Sequence, residues 1–223
     1  MKLVFYAGGC HNANEELDIE AARLLRESSH NPRLTYIPSD SRRKNHYFEE
    51  FKQYWRKYGI RRIEAFAADD HFKAPELKRA LSSEGIFLSG GNTYYFVKSL
   101  REHGMFSRLR NYVKKGGVLM GLSAGAIIMT PSIATAGIPS DDADENYVEL
   151  ENFKSLALVK FEFAPHYTRR RKVSQELMRY SRKFKGPIYA APDGSGVIVD
   201  GHRTAFVGKI ACFFQGRQMP IAR

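Results

Sequence analysis

Val118-Leu119-Met120-Gly121-Leu122-Ser123-Ala124-Gly125-Ala126-Ile127-Ile128-Met129 is the stretch that decides the fold. Its first four residues form a short apolar run that reads as a buried strand, and Ala126–Met129 form a second apolar run. Between them lies Gly121-x-Ser123-x-Gly125, the spacing of a nucleophile elbow, in which a sharp strand-to-helix turn lifts a serine oxygen above the sheet. The flanking positions must be small, because a Cβ there would strike the neighbouring strand or helix. A helix starting at Ala124 would bring its positive end and the Ala124 N–H to any oxyanion formed on the serine.

Working outward, strands and helices alternate. Strands are expected at 2–7, 34–38, 62–67, 85–89 and 118–121, and helices at 13–29, 45–58, 74–83, 94–113 and about 169–184. Gly116-Gly117 stops the helix over 94–113. The aromatic face of 45–58, with Tyr47, Phe48, Phe51, Tyr54 and Trp55, reads as core. Short strands at 187–191, 196–200, 203–208 and 210–214 follow, with turns at Asp193-Gly194 and Asp200-Gly201. This order implies an α/β fold with a mainly parallel central sheet and helices on both faces, the last strands running antiparallel and extending one edge.

The 223 residues suit one domain with a single core. Hydrophobic residues are 43% and charged residues 26%, the balance of a globular protein. No apolar run approaches the roughly 20 residues that span a bilayer. The N-terminal apolar segment is too short for a signal peptide, so the cytoplasm is the expected compartment and no membrane partner is expected. The two cysteines, Cys10 and Cys212, form neither a disulfide framework nor a zinc spacing, and no metal or organic cofactor is expected. Cys10 follows a Gly-Gly at a strand end and is read as a small structural thiol. The net charge of +11 is spread over many short basic clusters, the pattern of solvated helix faces, and nucleic acid is not an expected partner.

In open α/β sheets, chemistry gathers at the carboxyl ends of strands. Besides the elbow, two motifs fall there. Gly90-Gly91-Asn92-Thr93 can turn backbone N–H groups into a cleft and supply a further oxyanion donor, or can simply start a helix capped by Asn92 or Thr93. Ala164-Pro165-His166 follows an apolar, strand-like run, and His166 is the candidate base for Ser123. An acid should orient the imidazole. Asp141, Asp142, Asp144 and Glu145 all lie between serine and histidine, in the Ser–acid–His order of α/β-hydrolases, and residue type does not choose among them.

Ser89-Gly90-Gly91-Asn92-Thr93, Gly121-Leu122-Ser123-Ala124-Gly125-Ala126 and Pro165-His166-Tyr167 together resemble the peptidase E (aspartyl dipeptidase) and cyanophycinase family of serine peptidases. Phe5-Tyr6-Ala7-Gly8-Gly9 and Ala191-Pro192-Asp193-Gly194-Ser195-Gly196 are similar to that family too. The resemblance implies a three-layer sandwich of the class I glutamine amidotransferase-like (flavodoxin-like) kind, with residues 1–223 as one catalytic domain. It implies Ser123 as nucleophile, His166 as base, and oxyanion N–H groups from Gly90, Gly91 and Ala124. Within it Asp141 is the first choice of acid, and Asp144 and Asp142 are the alternatives. Leu122 stands where some aspartyl dipeptidases carry tryptophan, which sets this chain apart from strict Asp-X specificity.

The expected function is serine peptidase action on small peptides, in particular dipeptides with an N-terminal acidic residue. Asn92, Thr93, Arg169 and Arg170 are candidate substrate contacts, the arginines because a guanidinium fork suits a carboxylate. A homodimer is compatible with the sequence. Two other functions fit parts of the pattern: an α/β-hydrolase-type esterase, which shares the elbow, and a non-catalytic amidotransferase-like domain that binds an anionic ligand.

Overall fold

The computed structural model describes residues 1–9 and 11–221. Cys10, read above as a structural thiol, lies outside the described residues. In chain order the elements are β1 (Lys2–Tyr6), α1 (Glu15–Arg26), β2 (Arg33–Ile37), α2 (Lys44–Arg56), β3 (Arg62–Ala65), α3 (Ala74–Leu81), β4 (Gly85–Leu88), α4 (Thr93–Glu102), α5 (Met105–Lys114), β5 (Val118–Leu122) and α6 (Ala124–Ile128). They are followed by β6 (Glu162–Ala164), α7 (Arg171–Ser181), β7 (Ile188–Ala190), β8 (Gly196–Asp200), β9 (Arg203–Val207), β10 (Ala211–Phe214) and β11 (Arg217–Met219).

Seven strands form the central sheet in the order β3-β2-β4-β5-β1-β8-β9. The first five are mutually parallel, and β8 and β9 pair antiparallel at one edge. The period-two geometry of a strand sends alternate side chains to opposite faces. On β1, Leu3 and Phe5 join α4, α5 and α6 residues such as Phe96, Leu109 and Ile127 in one cluster. Val4 and Tyr6 join α1 and α2 residues such as Leu24, Phe51 and Trp55 in another. Covered on both faces, the inner parallel strands β4, β5 and β1 are apolar apart from Lys2 at the start of β1, the pattern of a helix-flanked sheet, whereas the edge strand β3 carries Arg62 and Glu64. The aromatic stripe of α2 is core where Phe51, Tyr54 and Trp55 are concerned, whereas Tyr47 is exposed.

Two expectations change. The helix over 94–113 is two helices, because Gly104 takes a left-handed conformation (φ 63°) that ends α4 and starts α5. The C-terminal strands do not all extend the central sheet. Only β8 and β9 do, while β6, β7, β10 and β11 build a second, four-stranded sheet in the order β11-β10-β7-β6. Helix α7 packs on that sheet through Val173 and Leu177 against Ile188 and Phe213. The segment from Ala191 to Ser195 therefore crosses between two sheets, and Asp193-Gly194 is a turn in that crossing, not a hairpin tip. No helix of the described residues is long and apolar enough to cross a membrane.

Candidate active site

Ser123 sits between β5 and α6 with φ 51° and ψ −111°, a backbone conformation that a non-glycine residue rarely adopts. Neighbouring strand ends hold it there. The Ser123 N–H donates to the Tyr6 carbonyl at 2.9 Å, and the Gly125 N–H donates to the Ser89 carbonyl at 3.2 Å. The two glycines are demanded by space. A Cβ on Gly121 would lie 2.4 Å from the Gly125 carbonyl carbon, and one on Gly125 would lie 2.3 Å from the Leu88 carbonyl oxygen. Both contacts are with backbone, which has little room to yield. Such strain clusters at sites where the surrounding structure over-determines the backbone.

The Ser123 hydroxyl is 2.8 Å from His166 Nε2. The other ring nitrogen, Nδ1, is 2.7 Å from Asp193 Oδ1. With the proton on Nδ1, the imidazole donates to Asp193 and accepts from Ser123, so one tautomer satisfies both bonds. The three side chains come from different strand ends: Ser123 after β5, His166 after β6, Asp193 after β7. Backbone bonds clamp these ends together. Tyr167 N–H donates to the Ala191 carbonyl (3.0 Å), Gly194 N–H to Gly8 (3.1 Å) and Ala7 N–H to Ser195 (3.0 Å). Gly8, just past β1, leaves room for the pair. A Cβ there would fall 2.3 Å from His166 Cε1 and 2.4 Å from Asp193 Oδ1.

The carboxylate beside His166 is therefore Asp193, and none of the four candidate acids Asp141, Asp142, Asp144 and Glu145 pairs with the imidazole. Asp141, the first choice from sequence, pairs with Arg170 (3.2 Å) and Lys172 (3.4 Å) at the start of α7. Asp144 accepts from the Thr93 N–H at 2.8 Å, placing a negative charge at the N-terminus of α4, where the helix dipole favours it. Asp142 is exposed, and its N–H closes a turn onto the Pro139 carbonyl. The Glu145 carbonyl accepts from Asn92 Nδ2 at 2.8 Å. The acidic segment is thus tied down by helix capping and by a basic helix start. The residues that sequence reasoning missed, Asp193 and Gly8, did carry a signal. Each belongs to a Gly-containing strand-end motif, Ala7-Gly8-Gly9 or Ala191-Pro192-Asp193-Gly194.

Gly90 and Gly91 lie beside the serine, with a Gly90 Cβ position 3.6 Å from Ser123 Cβ. The Gly90 carbonyl accepts from the Ser39 hydroxyl at 2.8 Å and from the Ser89 hydroxyl at 2.9 Å. Because a trans peptide opposes its C=O and N–H, the Gly91 N–H points away from those hydroxyls. The Ala124 N–H opens α6 and meets no acceptor among the described residues. Asn92 caps α4 by accepting from the Tyr95 N–H at 2.9 Å, as the helix-start reading of the Gly-Gly-Asn-Thr turn expects. Arg170 is committed to Asp141 and Arg169 is exposed on the surface. Cys212 is buried, and burial pushes its thiol pKa up, away from reactivity. Among the described residues, no group of three or more His, Cys, Asp or Glu side chains could hold a metal ion.

A cavity of about 720 Å³ opens next to the elbow, on the α1/α2 side of the sheet, and Gly90, Gly91 and Leu122 form part of its wall. That is the size of a small-molecule or peptide-residue site.

Known proteins resemble this chain in sequence and in fold. The sequence model of Peptidase family S51 matches residues 3–207. A "Peptidase E" of Shewanella amazonensis is 27% identical over 175 residues, 74% of this chain and 72% of that protein. An uncharacterised peptidase of Listeria innocua is 30% identical over 160 residues, 68% of this chain and 74% of its own length. Among solved structures, a putative peptidase E from Listeria monocytogenes superposes with a TM-score of 0.69 at 22% identity, covering 92% of this chain and 96% of that one. A peptidase from an acI-B1 actinobacterium gives 0.71 at 15% identity, covering 100% and 95%. The α/β architecture with a mostly parallel sheet is shared with these structures.

Proposed function

The chain belongs to peptidase family S51, a family of serine peptidases, and from that premise we propose that it hydrolyses small peptides with Ser123 as nucleophile, His166 as general base and Asp193 as the orienting acid. The observation that carries this reading is the unbroken hydrogen-bond chain from the Ser123 hydroxyl through both ring nitrogens of His166 to Asp193, starting at a backbone-strained elbow.

The geometry supports acyl transfer to water. His166 Nε2 takes the hydroxyl proton as Ser123 Oγ attacks the peptide carbonyl carbon. The carbonyl π electrons move to oxygen, and the Ala124 and Gly91 amides donate to that oxyanion. Collapse breaks the C–N bond, and His166 gives its proton to the leaving amine. Water then attacks the acyl ester, losing a proton to His166, which returns it to Ser123 as the acid product leaves. Asp193 stays ionised throughout, holding the ring and stabilising the imidazolium.

Preference for an N-terminal acidic residue follows from the resemblance to aspartyl dipeptidases, with Arg169 and Arg170 as candidate partners of the substrate carboxylate. Neither lines the cavity beside Ser123, and Arg170 is occupied by Asp141. The enzyme therefore hydrolyses small peptides, with side-chain preference set by the cavity. A fluorophosphonate probe and a panel of dipeptides test it. Wild type should label and turn over peptide, and Ser123→Ala should do neither while keeping its melting temperature. Labelling that persists in Ser123→Ala would overturn the assignment.

A further inference from the structure

The cavity beside the elbow has an unusual interior. Its walls include the rings of Tyr6, Tyr36, Phe51, Trp55 and Phe87, packed with centroid distances such as 4.7 Å for Tyr36–Phe51 and 4.8 Å for Phe51–Phe87. Set into this aromatic wall are Asn14 and Asp18, four residues apart and so on one side of the first turn of α1. Both are more than nine-tenths buried, at 7% and 3% exposure. Asp18 Oδ2 accepts from the Tyr54 hydroxyl at 2.5 Å. Among the described residues Asn14 Oδ1 has no donor, and the Tyr6 hydroxyl neighbours Asp18, whose charge together with burial raises the Tyr6 pKa.

A buried acceptor without a donor, such as Asn14 Oδ1, costs free energy, and so does a buried carboxylate that has hydrogen-bond donors but no countercharge. Burial accordingly pushes the Asp18 acid up to about 7. The complement to two buried oxygens inside an aromatic wall is a flat or slender group that carries N–H donors and positive charge. Arg42 is the one cation that lines the cavity among the described residues, and it is engaged through Nε and Nη2 by both oxygens of Asp40, each at 2.9 Å. It is not available to Asp18.

We propose that this cavity binds the side chain of a basic residue, lysine or arginine, next to the scissile bond, with its ammonium or guanidinium group donating to the Asp18 carboxylate and Asn14 Oδ1. The inference rests on the peptidase reading above, because Gly90, Gly91 and Leu122 connect the cavity to Ser123. The aliphatic stem lies along the rings, and the cation supplies the charge that a buried Asp18 otherwise lacks.

Two measurements on the full chain test it. Calorimetric binding compares benzamidine with its uncharged isostere benzamide and with benzoate. Initial rates compare Arg-Leu and Lys-Leu with norleucyl-leucine and Asp-Leu. Benzamidine should bind about 10- to 100-fold tighter than benzamide, the range of a hydrogen-bonded charge against none. kcat/KM should favour arginine and lysine over norleucine by a similar factor. Asp18→Asn should bring both ratios towards one. Equal binding of benzamidine and benzamide, tighter binding of benzoate, or an Asp18→Asn protein that retains the ratio would overturn the proposal. If Asp18→Asn does not fold, the wild-type ratios still decide. If no peptide is turned over and Ser123 does not label, the peptidase reading fails, and the benzamidine comparison still judges the cavity. If peptides are cleaved without basic preference, the peptidase reading stands and the proposal falls.

Discussion

Asp193→Asn should lower kcat/KM by about 10²–10³, while Asp141→Asn should leave it within about threefold. The His166–Asp193 bond is 2.7 Å long, within the range of charge-assisted N–H···O⁻ bonds. In the transition state the ring carries a full positive charge facing that carboxylate. At a charge separation of about 4 Å their attraction is about 1 kcal/mol in bulk water and about 4 kcal/mol at an effective dielectric of 20. Both side chains are half exposed, at 50% and 54%, so water screens the pair and about 2–3 kcal/mol is the appropriate range. An asparagine amide can also donate to Nδ1 and hold the ring in the tautomer that cannot accept from Ser123, which adds to the loss. At about 1.4 kcal/mol per factor of ten, the sum is two to three orders of magnitude. The assay is kcat/KM on a dipeptide together with the second-order rate of fluorophosphonate labelling, each against a melting curve that confirms the fold. Loss at Asp141 equal to that at Asp193, or an Asp193→Asn rate within tenfold of wild type, would refute the argument.

Gly8→Ala should disable the enzyme nearly as severely as Asp193→Asn, because its Cβ would fall 2.3 Å from His166 Cε1 and 2.4 Å from Asp193 Oδ1. Unaltered labelling in Gly8→Ala would show that the pair has room to shift. Glu162→Gln should stabilise the protein in alkaline solution and not in acid. Glu162 is fully buried, and burial raises its pKa from 4.5 to about 7. Between those values the folded state binds more protons than the unfolded chain, so wild-type stability falls as pH rises from about 4.5 to about 7 and the penalty is complete above that. A shift of this size corresponds to at most about 3 kcal/mol. Urea melts of the two proteins should therefore coincide near pH 4 and separate at pH 9, and equal separation at both pH values would contradict the cause given.

The strand–elbow–helix unit was legible because each of its requirements is local. Gly121 and Gly125 are fixed by contacts within the turn or with the adjacent strand, and an alternation such as Leu3-Val4-Phe5-Tyr6 reports its own two-sided burial. His166 was legible for a similar reason, as a polar residue directly after an apolar strand. The acid was not. The Ser–acid–His order belongs to another fold, and here the carboxylate that meets His166 lies 27 residues after it. The helix break at Gly104 was missed because a lone glycine within an apolar period does not declare its left-handed φ.

Sequence alone determined the α/β class, the serine at the elbow and the histidine after a later strand, because these depend on spacing and periodicity within a few residues. Only the tertiary structure decided that Asp193 and not Asp141 faces His166, and that Asn14 and Asp18 line the cavity beside Ser123. Those outcomes depend on how two sheets abut and on which strand ends converge. That convergence is set by the packing of whole layers, and no short stretch of chain encodes it.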